Sequence, residues 1–229
     1  MSMRRNLLTS LFLAILIFVG LEAYGQSIFS NSITGANPNS SNPYTTGQIV
    51  TSGITVSGIG RGSGIIGQNA NDEYMASGWD SNNLNPNKYF EWTITPNSCR
   101  LINLTSFVYT SSRNHNSIDN FQLRSSLDGF VAPIGSPTWN GTTINLSDAA
   151  FQNISTPITF RLYAWGANNS SRTFSIQDFT FNGSVTPNIA VTNMTATTCS
   201  GSAFSLTPAN GTNGVVPAGT TYSWSAPAV

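Results

Sequence analysis

Apolar and polar residues alternate with a period of two along most of this chain, and no stretch shows the 3.6-residue period of a long amphipathic helix. Alternation of that kind sends successive side chains to opposite faces of a strand. Ile54 and Val56 alternate with Thr55 and Ser57. Phe90, Trp92 and Ile94 alternate with Tyr89, Glu91 and Thr93, and Pro96-Asn97 closes that strand. Leu101 to Tyr109 reads as another strand, followed by a polar loop from Thr110 to Asn116. Phe121 and Leu123 precede an Asp128-Gly129 turn, and Ile144 and Leu146 mark a short strand. Phe160, Leu162 and Ala164 alternate with Arg161, Tyr163 and Trp165. Phe174 and Ile176 share a face, whereas Phe179 and Phe181 keep the period but slip by one residue, which predicts a β-bulge at Gln177-Asp178. The single helical signal is one turn, Ala149 to Phe151, with Asp148 as its cap.

Many short strands with no long helix predict an all-β fold, a jelly-roll-like antiparallel sandwich, over residues 49–186. Residues 26–48, rich in Asn, Ser, Thr, Pro and Gly, read as an irregular lead-in. Thr186-Pro187-Asn188 reads as a boundary, because proline has no N–H to continue a ladder. Beyond it, residues 188–229 open with Ile189 and Val191, continue through Phe204 and Leu206, and end on the alternating Tyr222-Ser-Trp224-Ser225. That stretch is too short to bury a core of its own, so it reads as the opening of a truncated second β-module.

The chain begins like an exported protein. Arg4 and Arg5 form a positive start, Leu11 to Leu21 is apolar and uncharged, and Ala23-Tyr24-Gly25 offers small residues for cleavage before Gln26. Residues 1–25 are therefore read as a signal peptide; the apolar run falls short of the roughly 20 residues a membrane helix needs. No membrane span is expected after cleavage, and the expected location is secreted or on the cell surface. Loss of the leader takes 9 basic and 9 acidic side chains to 7 and 8. With Lys88 the sole lysine and no basic field for phosphates, a nucleic-acid partner is excluded. Only 8% of residues are charged, yet 39% are hydrophobic and 11% aromatic, which favours packed cores over disorder.

Cys199-Ser-Gly, Leu206-Thr-Pro208 and Trp224-Ser-Ala-Pro227 occur in that order within the last segment. They resemble the start of a PKD-like repeat, an Ig-like sandwich found in tandem on large surface proteins of the Bacteroidetes. Ile54-Thr-Val-Ser-Gly-Ile-Gly-Arg-Gly-Ser-Gly64, Leu123-Arg-Ser-Ser-Leu-Asp-Gly129, Phe160-Arg-Leu-Tyr163 and Phe174-Ser-Ile-Gln-Asp-Phe179 resemble a sandwich module common near the N-terminus of such proteins. The resemblance implies a multi-module surface protein and assigns no activity. The two cysteines fall in different modules, so Cys199 is expected to pair with a cysteine beyond the chain end and Cys99 to stay unpaired, against the simple alternative of one Cys99–Cys199 bond.

Candidate chemistry is sparse. Gly62 to Gly67 matches G-x-G-x-x-G, but no helical pattern follows to hold a phosphate, so a glycine-rich bend is expected. His115 is the only histidine and lies in a polar loop without a nucleophile-elbow motif. Glu91 lies mid-strand facing outward and Asp178 follows the bulge, but nothing pairs them for glycoside hydrolysis. No catalytic residues and no cofactor are assigned. Asp72, Glu73 and Asp80 are candidate ligands for a structural calcium. Trp79, Asp80, Trp139, Trp165, Asn168 and Asn169 form the candidate ligand site, since indole faces stack on sugar rings and amides bond hydroxyls. The alternative for each tryptophan is a seal at the end of the core; Trp92 and Trp224 are assigned to cores. The sequence thus points to an exported, non-enzymatic module protein for adhesion or extracellular ligand binding, with an extracellular glycan or a surface protein as partner. The alternative is an accessory, carbohydrate-binding region of a secreted hydrolase.

Overall fold

A computed structural model describes residues 25–191, 207–216, 219 and 221. The signal-peptide reading of the first residues, Cys199 with its pairing, Trp224 and most of the PKD-like segment lie outside the described residues. The strands are, in order, β1 (Gln26–Ser32), β2 (Ile49–Val50), β3 (Ile54–Arg61), β4 (Ile66–Gly67), β5 (Tyr74–Ser77) and β6 (Tyr89–Pro96). They continue with β7 (Arg100–Arg113), β8 (Asn120–Ser125), β9 (Gly141–Asn145), β10 (Ile158–Trp165) and β11 (Thr173–Pro187). A two-residue ladder joins β12 (Ala190–Val191) to β13 (Gly214–Val215).

The fold is an all-β antiparallel sandwich of a seven-stranded and a four-stranded sheet. From β5 to β11 the chain changes sheet at every connection. One sheet contains the run β5-β11-β7-β9. The other is β3-β6-β10-β8, extended past β8 by an isolated bridge from Leu123 to Ile134. That hopping order is the connectivity of a jelly roll. Between the sheets lies one aromatic core. The Phe107 and Phe181 rings stack at 4.4 Å, and Trp92 packs on Phe107, Phe179 and Phe181.

The expected bulge is present: β11 slips register against β7 between Ile176 and Asp178, and Phe174, Ile176, Phe179 and Phe181 all reach the core as a result. The Asp148 cap is also present, its carboxylate accepting from the Ala149 N–H at 2.8 Å above a single 3-10 turn. The glycine-rich run from Gly62 forms the bend between β3 and β4, with no helix behind it.

Two expectations are corrected. The segment 26–48 is not simply an irregular lead-in: its first seven residues form β1, which sits between β2 and β11. A register shift between Ser27 and Phe29 turns the adjacent Ile28 and Phe29 both inward, which hides the strand from a period-two reading. The remainder is fastened to β3 from the side. Asn42 exchanges hydrogen bonds with the Arg61 backbone, and the buried Arg61 guanidinium, 3.7 Å over the Tyr74 ring, donates to the Asn39 and Ser41 carbonyls. Desolvation of Arg61 lowers its pKa, and burial pushes the Tyr74 hydroxyl up to about 12. The second correction is that β7 runs to Arg113, through what reads as loop, because β11 continues to pair with it as far as Phe174–Arg113. Among the described residues, no helix is long and apolar enough to cross a membrane.

Candidate functional site

The four-stranded sheet buries every second residue and turns the others outward. Phe90, Trp92 and Ile94 of β6 and Phe160 and Leu162 of β10 enter the core. Their neighbours Tyr89, Glu91 and Thr93, and Thr159, Arg161, Tyr163 and Trp165, share the outer face. Register places Tyr89, Tyr163 and Gln122 in one row across β6, β10 and β8. Glu91, Arg161 and Arg124 form the next row, and Asn120 lies opposite Trp165.

These side chains build a second, polar-aromatic layer. Tyr163 is its floor: it is 2% exposed but belongs to no part of the inner core, and the Tyr89 ring meets it edge-on at 5.5 Å. The Arg161 guanidinium lies 4.1 Å from the Tyr89 ring centre and 4.1 Å from that of Phe130, and its Nε donates to Glu91 Oε2 at 3.1 Å. Burial works against the Arg161 charge, but the hydrogen bonds that Tyr163 and Glu91 accept from it outweigh that cost and its pKa is raised. Burial, with Glu91 nearby, raises the Tyr89 pKa, so that phenol stays neutral at physiological pH. Arg124 donates to Gln122 Oε1 and to the Phe130 carbonyl.

Phe130 reaches this layer from the loop after β8. Its φ is +65°, a left-handed conformation that costs about 1–3 kcal/mol for a bulky residue and must be held by its surroundings. The holders are visible: the Phe130 N–H bonds the Ser125 carbonyl, Arg124 bonds the Phe130 carbonyl, and the Asp128 carboxylate accepts from the Val131 and Ala132 N–H groups. Those backbone bonds, led by Ala132, lower the Asp128 pKa. The sign follows: the carboxylate clamp is present above the ordinary carboxylate pKa and is lost as pH falls through the lowered one. In a pH titration followed by NMR, the Val131 and Ala132 amides will shift together, with a midpoint below the usual carboxylate range. A midpoint at or above that range means that the clamp is not formed.

The tryptophans expected at the ligand site do not converge. Trp79 is a correction: it is fully buried, its Nε1–H donates to the Ala76 carbonyl at 2.8 Å, and its ring packs edge-on against Phe90 and Phe174. An indole with both faces covered cannot stack on a sugar; it seals the core. Asp80, next to it, is exposed and pairs with Lys88 at 2.6 Å, a bond that lowers the Asp80 pKa. Trp139 is 44% exposed on the turn before β9, with the Arg113 guanidinium 4.9 Å from its ring. Trp165 alone of the set lies on the aromatic sheet face. Asn168 and Asn169 are exposed in the β10–β11 loop, but their side-chain carbonyls hold that loop together. Asn168 accepts from Arg172 and Ser117, and Asn169 from the Ser171 N–H and hydroxyl.

The calcium candidates are also separated. Asp72 accepts from the Gly35 N–H, Glu73 from the Ser112 and Ser175 hydroxyls, and Asp80 serves Lys88. Among the described residues no three acidic, histidine or cysteine side chains gather as metal ligands. Cys99 is half-buried and carries no disulfide among the described residues. His115 bonds Ser117 through Nδ1 and supports the same loop cluster as Asn168.

Most of the aromatic face escaped the site prediction, although its residues occupy the polar phase of well-marked strands. The signal that would have found it is the repeated placement of Tyr, Trp, Arg and Glu in slots where Ser and Thr suffice. No family model, curated protein or solved structure matches this chain.

Proposed function

We propose that this is an exported, non-enzymatic binding module that takes an extracellular glycan on the outer face of its four-stranded sheet. The observation that carries the reading is the pair of half-exposed rings Tyr89 and Trp165, laid over the buried Tyr163 and interleaved with Glu91, Arg161, Gln122 and Arg124 on one sheet face. Aromatic rings supply apolar area for sugar faces, and the amide and charged groups supply directional bonds to hydroxyls. A rigid sheet holds both at fixed spacing, so little ordering entropy opposes binding. Adhesion at the cell surface is the role that the exported leader and the PKD-like resemblance suggest. The same aromatic face equally suits an accessory region of a secreted hydrolase, the second reading.

The test is a glycan array probed with the chain lacking its leader, in wild-type form and as Tyr89→Ala and Trp165→Ala. Binding to a defined set of glycans, reduced about tenfold or more by either change, is the expected result, as befits loss of one aromatic contact worth about 1.4 kcal/mol or more. Binding that neither change alters would move the site off this face. Hydrolysis of any bound glycan would end the non-enzymatic reading.

A further inference from the structure

We infer that the ligand of this face is acidic: a glycan containing uronic acid residues, whose carboxylate is taken by Arg161 and Arg124. The inference rests on the glycan reading above and deepens it. Cations are scarce outside the leader, where seven basic side chains serve the whole chain, yet two of them are direct cross-strand partners here. Like charges set opposite one another on a sheet repel, so such a pair calls for an anion between or above them.

The protein supplies only part of that anion. Glu91 takes the Nε of Arg161, whereas every bond from Arg124 goes to a neutral acceptor, Gln122 Oε1 or the Phe130 carbonyl. Two guanidiniums therefore meet one carboxylate, and the layer is left with a positive excess. The contrast with Arg61 is informative. Arg61 has Nε and Nη2 buried with no partner, while no nitrogen of Arg161 or Arg124 is in that condition. Arg161 and Arg124 are only half-buried, which leaves surface on both for a ligand to reach.

The arrangement is also preformed. Arg161 is held between the Tyr89 and Phe130 rings, and Arg124 ties down the Phe130 backbone that closes the stack. The Arg161 guanidinium fixed in this way can meet the two oxygens of a carboxylate without further ordering, and Arg124, whose three nitrogens already donate to Gln122 and Phe130, adds its charge beside it. The flanking Tyr89 and Trp165 rings would carry the sugar to which that carboxylate is attached.

The experiment is isothermal titration calorimetry of the leaderless full chain against polygalacturonate, its methyl ester and dextran sulfate. Polygalacturonate should bind, the methyl ester at least tenfold more weakly, and dextran sulfate more weakly than polygalacturonate. Arg161→Gln and Arg124→Gln should each lose tenfold or more for polygalacturonate. Arg161→Lys, which keeps the charge but not the fork, should also fall. Thermal unfolding checks each variant, and Arg124→Gln, which removes no core contact, decides the matter if Arg161→Gln fails to fold. Equal binding of polygalacturonate and its ester overturns the acidic assignment and leaves the glycan reading standing. Equal or tighter binding of dextran sulfate overturns the carboxylate in favour of bare charge. Binding to no polymer here, and to no glycan on the array, sinks both.

Discussion

Replacing Trp79 with alanine will strip the domain of about 3–5 kcal/mol of stability, not merely weaken its grip on a ligand. The indole is fully buried against Phe90 and Phe174, with centroid separations of 5.3 and 5.8 Å. Removing such a side chain costs about 3–5 kcal/mol through lost transfer energy and the cavity left behind. It also strands the Ala76 carbonyl that the indole N–H satisfies. Against a typical total of about 5–15 kcal/mol, the loss is about a fifth of the stability or more. Trp165→Ala, on the half-exposed outer face, should change stability by about 1 kcal/mol or less. Urea denaturation of both variants at a common slope checks the pair. Equal midpoints for the two would show that Trp79 is no part of the core.

The contrast between these two tryptophans marks what local pattern can and cannot carry. Period-two alternation located β3, β6, β8, β10 and β11, and a one-residue slip located the bulge at Gln177, because both are properties of consecutive residues. A single Trp in Ser77-Gly-Trp-Asp80 offers no such pattern. Whether its face is open depends on Phe174, far along the chain, folding over it. The outer layer failed to appear for the same reason. Glu91 and Arg161 are 70 residues apart, and only the register of β10 between β6 and β8 makes them neighbours of Arg124. The outward phase of Glu91 was legible; its partner was not. Phe130 was the least legible of all, since a Gly-Phe turn signals a loop but not an aromatic ring held over a guanidinium. The calcium trio erred in the opposite direction, treating nearness in sequence as nearness in space. Each of those carboxylates bonds a different part of the fold.

A chain that starts at Thr34 will not fold, whereas one that starts at Gln26 will. The first strand looks dispensable in sequence, since polar residues surround it and it leads into an irregular stretch. In the sandwich this strand and the residue after it supply Ile28, Phe29 and Ile33, all at most 2% exposed, and Phe29 meets the Phe179 ring at 5.0 Å and stacks with Phe181 at 5.9 Å. Loss of one buried Phe costs about 3–5 kcal/mol and of each buried Ile about 2–5, so the three together reach the whole stability of an ordinary domain. Their removal also strips the partner from β11 between Asp178 and Gly183, leaving one side of its ladder unpaired. The expected result is a cooperative thermal transition for the chain from Gln26 and none for the chain from Thr34. Adding a peptide of residues 25–33 should restore the transition in proportion to its concentration, since an extended segment can complete an open sheet edge in trans. A cooperative melt of the shortened chain within a few degrees of the longer one would return this segment to the status of a lead-in.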